Sequence, residues 1–123
     1  MIDVFVGFDI RDYKAFRVCE TSIHAHSSEQ VHVIPILDHE CRKKYGYARP
    51  YRVEPNGQMI CGVDEKPFST HFSFTRFLVP HIAGYRDDLV VFCDADMLWR
   101  ADIVELVEYC RADKKKAVWC VQH

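Results

Sequence analysis

The residues with the clearest chemical potential are Asp94 and Asp96, which close the apolar run at 89–93 in LVVFCDADMLW. Side chains two apart on an extended segment project to the same side, so both carboxylates can engage one ligand. Hard divalent cations such as Mg²⁺ and Mn²⁺ take carboxylate oxygen and water, and commonly share one or two protein carboxylates with a substrate's phosphates. The pair therefore points to a metal-bound diphosphate. The competing explanation is a strand-end cap with a second Asp in solvent, and the short spacing alone does not choose between them. Asp9 stands in the same relation to the apolar segment 2–8. In an open α/β sheet, ligands collect outside the carboxyl ends of the strands. Arg11 and Arg76 are further candidates because a planar guanidinium matches a phosphate bidentately; the alternative for each is a turn residue or an ordinary ion pair.

The elements that must position these side chains follow from periodicity. Residues 2–8 have the β-branched and aromatic bias of a buried strand. A helix should follow, capped by Asp12, with Ala15, Val18, Cys19, Ser22 and Ile23 on its inner face. Residues 31–37 predict a second strand, and Pro35, which has no N–H, places it at an edge or a distortion. From 38 to 69 no period is sustained, and Pro50, Pro55, Pro67, Gly46, Gly57 and Gly62 predict a long irregular loop with a hairpin tip at 55–57. Tyr45, Tyr47, Arg49, Tyr51 and Arg52 either face a polar ligand or pack that loop. Thr70 is expected to cap a helix lined by Phe74, Phe77 and Leu78 and bent or ended by Pro80. After the strand before Asp94, Asp102 and Glu105 form a capping box for a helix whose inner residues are Ile103, Leu106, Val107 and Cys110. Residues 117–121 predict a fourth buried strand. This order gives an α/β fold with a mainly parallel sheet flanked by helices.

Composition narrows the partners. With 123 residues, 49% hydrophobic and 28% charged, the chain is expected to form one globular domain over 1–123. A formal net charge of -2 gives no reason to expect nucleic acid, and the basic run 114–116 reads as a solvated turn. No run approaches the ~20 apolar residues of a membrane span, and no secretion signal is apparent, so a cytoplasmic protein is expected. The six cysteines contain no Cys-x-x-Cys pair and read as reduced thiols packed as small hydrophobes. The histidines show no common metal-ligand spacing, and His71 takes no role.

Three segments, VFVGFDIRDYKAFRVCETSI, STHFSFTRFLVPHIAGYRDDLVVFCDADMLWRADIVEL and AVWCVQH, together resemble a bacterial and phage-type group of GT-A nucleotide-sugar glycosyltransferases related to family 8. These segments cover about half of the chain, and the resemblance fails mainly in the middle loop. It implies a Rossmann-like GT-A half-domain in which Asp94 and Asp96 bind Mn²⁺ or Mg²⁺, with Asp94 also meeting the donor ribose. It further implies that Gly7, Phe8 and Asp9 receive the nucleotide base and ribose, that Arg76 contacts diphosphate or sugar, and that a residue near His123 approaches the donor sugar. For Phe8 ordinary core packing is the alternative.

The donor so implied is a nucleoside-diphosphate sugar, UDP- or GDP-linked, with the acceptor and any catalytic residue unassigned. A complete GT-A domain is about twice this length. The expected activity is therefore donor binding, with turnover weak or absent unless a further segment or subunit completes the site. Uncovered apolar surface would also favour a homo-oligomer. Two other classes stay open. A haloacid-dehalogenase-like phosphohydrolase resembles the stretch around Asp94 and Asp96, with the first Asp as nucleophile, but needs further acids and a Lys downstream. A non-catalytic nucleotide-binding or assembly module needs neither.

Overall fold

The computed structural model describes residues 1–122; His123 and the role the resemblance gives it lie outside the described residues. The chain folds as a mixed α/β structure around a parallel sheet of three strands, β1 (Ile2–Gly7), β2 (Val31–Ile36) and β6 (Val91–Cys93), in the order β2-β1-β6. β1 is central and almost wholly buried because it is apolar on both faces, as a parallel strand between two helix layers must be. Ile2, Val4 and Val6 face α1 (Tyr13–His26) and α4 (Ile103–Arg111), where Phe16, Cys19, Ile23, Ile103 and Val107 complete one core. Phe5 points the other way, against Ile36, Cys41 and Val79 from β2, α2 (Asp38–Lys44) and α3 (Val79–Ile82). β2 pairs on one side only, so Pro35 sits on an edge strand as its missing donor requires.

The segment 38–69 is structured, contrary to the expected irregular loop. Its first seven residues form α2, too short to show a sustained period. That helix carries Asp38 and Glu40 in its first turn and basic residues in its last, joined by Asp38–Arg42 and Glu40–Lys44 pairs four apart. The rest is a small antiparallel sheet of β3 (Tyr51–Val53), β4 (Met59–Cys61) and β5 (Pro67–Phe68). The turn at 54–58 is the expected hairpin tip, with Gly57 at φ 87° and Glu54 N–H donating to the Gln58 carbonyl. Each strand is two or three residues long, below what alternation can reveal.

Four further expectations are corrected. Asp12 makes no capping bond; Asp9 caps a 3₁₀ turn at Ile10–Asp12 instead, and α1 buries Phe16 where Val18 was expected. The helix expected after Thr70 is broken into turns, a 3₁₀ segment Thr75–Leu78 and α3, with Pro80 in the first turn of α3, where its missing N–H costs nothing. Thr75 rather than Phe77 is buried there, Phe77 being 73% exposed. Asp102 caps α4 through Val104 N–H, but Glu105 makes no side-chain hydrogen bond among the described residues, and Leu106 is half exposed. Residues 117–121 do not join the sheet. Val118 and Val121 are exposed while Trp119 packs edge-on to Tyr109 at 5.6 Å, so apolar composition found a single aromatic contact there instead of a ladder.

Gly7 ends β1 under the ring of Phe72. A β-carbon at position 7 would lie 2.5 Å from Phe72 Cδ2, so the glycine is needed for space rather than for backbone freedom. Gly7→Ala is expected to destabilise the protein by about 1–3 kcal/mol, as overpacking does, with Phe72→Ala in the same chain relieving the clash term. Urea unfolding of the single and double variants checks this: a double variant whose loss equals the sum of the two singles would show that the clash is not the cause.

Candidate functional site

All three strands of the main sheet are parallel, so their carboxyl ends share one edge. β1 leads to β2 on one side, and the chain then returns to place β6 on the other. The strand order therefore switches direction between β1 and β6, which is where ligands of open α/β sheets gather. Asp9 follows β1 and Asp94 follows β6, so the fold brings these two strand ends to that switch point.

The two carboxylate groups are employed differently. Asp9 is buried and fully engaged. It accepts Arg11 Nε at 2.9 Å and Arg11 Nη2 at 2.6 Å, together with the backbone N–H groups of Arg11 and His71 at 3.0 and 3.2 Å. Burial by itself would raise this carboxyl, but the Arg11 side chain and the two N–H groups outweigh it and hold the pKa at about 2. Arg11 Nη2 also donates to the Ser69 carbonyl at 2.7 Å. Asp9 and Arg11 thus form a clasp fastening the 69–71 segment to the end of β1. The bidentate guanidinium expected for phosphate is spent on a carboxylate.

A depressed pKa fixes the sign of the acid response. The Asp9 contribution is complete above the ordinary pKa of 3.8 and is lost as pH falls through about 2. It amounts to at most about 2 kcal/mol, since Arg11 is half exposed and screened. The stability of the native protein to chemical denaturation is expected to fall between about pH 4 and 2 more steeply than that of Asp9→Asn. Parallel curves would show that Asp9 is not the titrating group.

Asp94 and Asp96 behave otherwise. They occupy a turn closed by Met97 N–H to the Asp94 carbonyl at 3.4 Å, not an extended segment, so the expected same-side projection does not apply. Ala95 between them is buried, Asp94 is partly buried and Asp96 is exposed. Neither side chain meets a cation or an N–H donor among the described residues, so neither serves as a cap. Asp96 lines a surface groove of about 340 Å³ with Asp12, Lys14, Ala15, Val18, Met97 and Leu98.

The remaining candidates divide. Phe8 packs edge-on to Phe16 at 5.5 Å and belongs to the core. Gly7 is covered by Phe72. Arg76 is exposed, has no carboxylate partner among the described residues and lies 5.2 Å from the Phe77 ring centre, so its guanidinium is available to an anion. Arg42 stacks on Tyr47 and Tyr51, and Arg49 on Phe74, which packs the 38–69 segment onto itself and onto the turns that follow. His71, given no role by its sequence position, contributes its N–H to Asp9 and has its ring 3.9 Å from that carboxylate. Asp12 and Lys14 enter the groove beside Asp96. No periodic or motif signal places His71 or Lys14 here, and Asp12 was marked only as a helix cap, because each meets residues distant in sequence.

No group of three His, Cys, Asp or Glu side chains gathers among the described residues. Two unpaired carboxylates, however, are in kind what Mg²⁺ and Mn²⁺ use when water and phosphate oxygens fill the other positions. Among the described residues they form no closed protein cage.

Among the described residues no helix is long and apolar enough to cross a membrane. No protein-family model matches the chain, and no solved structure matches it. The chain is 41% identical over 120 residues to Protein CDI of Arabidopsis thaliana, an alignment covering 98% of this chain and 40% of that protein. The chain thus spans about two-fifths of the length of the curated relative it matches.

Proposed function

We propose that this chain supplies the donor-binding part of a metal-dependent glycosyltransferase with Rossmann-like GT-A architecture, taking a UDP- or GDP-linked sugar. The observation that carries this reading is the pair of unpaired carboxylates, Asp94 and Asp96, beside the strand-order switch. Asp94 and Asp96 would hold Mn²⁺ or Mg²⁺. When bound, that metal supplies Lewis-acid stabilisation of the charge on the departing nucleoside diphosphate. Arg76 offers a free guanidinium to a phosphate. Asp9 and Arg11 position the strand end rather than touch the donor, since each satisfies the other. The acceptor, its activating base and the stereochemical course lie outside what these residues provide. A cytoplasmic setting accords with six cysteines that are all free.

Calorimetric titration with UDP and GDP, with and without Mn²⁺, tests the reading. Binding that requires the metal is expected; heat in no condition would remove its basis. Release of inorganic phosphate from a simple phosphate ester would favour a phosphohydrolase instead. A second reading, a non-catalytic assembly module, draws on the exposed Val18, Met97 and Leu98 around the groove. A defined oligomer in sedimentation, with no nucleotide binding, would select it.

A further inference from the structure

We propose that Cys19 and Cys93 are a modification site, a buried thiol pair that a peroxide converts into a reversible intramolecular disulfide tying α1 to the end of β6. Their sulfurs lie 3.8 Å apart although the residues are 74 positions apart in sequence. Both belong to the core between the sheet and α1. Among the described residues no other cysteine pair brings its sulfurs into contact, and all six cysteines are free thiols.

The surroundings hold the pair in register. Ser22, one turn along α1, donates to the Cys19 carbonyl at 2.8 Å and accepts Trp99 N–H at 3.0 Å, so the segment after β6 is already bonded to the helix that carries Cys19. The Trp99 indole N–H is buried and meets no hydrogen-bond partner among the described residues. A disulfide needs the sulfurs at about 2.0 Å, so the proposal requires a closure of roughly 1.8 Å through side-chain rotation and a small shift of α1.

The chemistry balances with hydrogen peroxide as oxidant. One thiol, as its thiolate, attacks a peroxide oxygen; the O–O bond breaks, the departing hydroxide takes a proton as water, and a sulfenic acid forms. The second sulfur attacks the sulfenic sulfur, the S–O bond breaks, and a second water leaves. Two thiols lose two electrons and two protons to one peroxide, which becomes two waters. Cys19 is 0% and Cys93 7% exposed, so a bulky thiol reagent is excluded while a molecule of peroxide's size enters with a small opening. Cys93 immediately precedes Asp94, so the crosslink would stiffen the base of the acidic turn.

The native protein tests this directly. N-ethylmaleimide first caps the exposed Cys120 and partly exposed Cys110; hydrogen peroxide follows, and the protein is digested without reductant. The expected product joins the peptides containing Cys19 and Cys93, lighter than the two reduced peptides by two hydrogens and separated by dithiothreitol. The thermal midpoint is expected to rise by roughly 10 °C on oxidation. Cys19→Ser and Cys93→Ser should each abolish the crosslink and Cys110→Ser should retain it. Mapping the native chain carries the test even if a core variant fails to fold. Recovery of the two residues as free thiols or as separate sulfinic acids overturns the proposal, as does either one crosslinked to a different cysteine. The crosslink is read by mass, so its outcome is independent of nucleotide binding.

Discussion

A chain carrying Asp94→Asn and Asp96→Asn together is expected to lose the Mn²⁺-dependent part of UDP or GDP binding, by about a hundredfold or more in affinity. Both changes keep the side-chain shape and replace a carboxylate by an amide, which is a poor ligand for a hard cation. Folding should be unaffected, because neither carboxylate makes a hydrogen bond or ion pair with the protein among the described residues. Calorimetry in the presence of Mn²⁺, beside a thermal melt, reads both quantities. An unchanged affinity would return the pair to the status of a strand-end turn. A collapse of the melt would instead show that the carboxylates are structural. Arg76→Ala, which removes one unpaired guanidinium, is expected to weaken binding less, because an exposed charge is screened.

Phe5→Ala is expected to cost about 3–5 kcal/mol, enough to lower the melting midpoint by roughly 10 °C or more. Phe5 is 1% exposed at the middle of the central strand. Around its ring meet Ile36 of β2, Cys41 of α2 and Val79 of α3. No other side chain of β1 joins this cluster, so truncation leaves a cavity that the small helices α2 and α3 can fill only by moving. Val4→Ala on the opposite face removes less volume from a larger cluster held by α1 and α4, and should cost less. Urea unfolding of the two variants compares the layers. Equal losses would mean that the α2/α3 side collapses onto the gap more readily than its packing implies.

How much of this was legible depended on element length. β1, β2, α1 and α4 announce themselves through buried runs or repeated helical spacing. The parallel sheet follows from strands alternating with helices, and the edge position of β2 from Pro35. By contrast α2 and β3 to β5 are two to seven residues long. Such segments hold through ion pairs, cation–π stacking and turns, which leave no period to read. Residues 117–121 show the reverse error: apolar composition is necessary for a buried strand, but a strand also requires a neighbour in register.

For the site, residue types by themselves singled out Asp94, Asp96, Asp9, Arg11 and Arg76, and the alternation of elements placed Asp9 and Asp94 at strand ends on one edge of a sheet. Tertiary structure decided which of these are available. Three-dimensional proximity pairs Asp9 with Arg11 and His71, leaves Asp94, Asp96 and Arg76 unpaired among the described residues, seats Phe72 over Gly7, and brings Cys19 beside Cys93. The physical reason is that local sequence governs backbone preference and burial pattern, whereas satisfaction of a charge or approach of two sulfurs depends on partners up to 74 residues away.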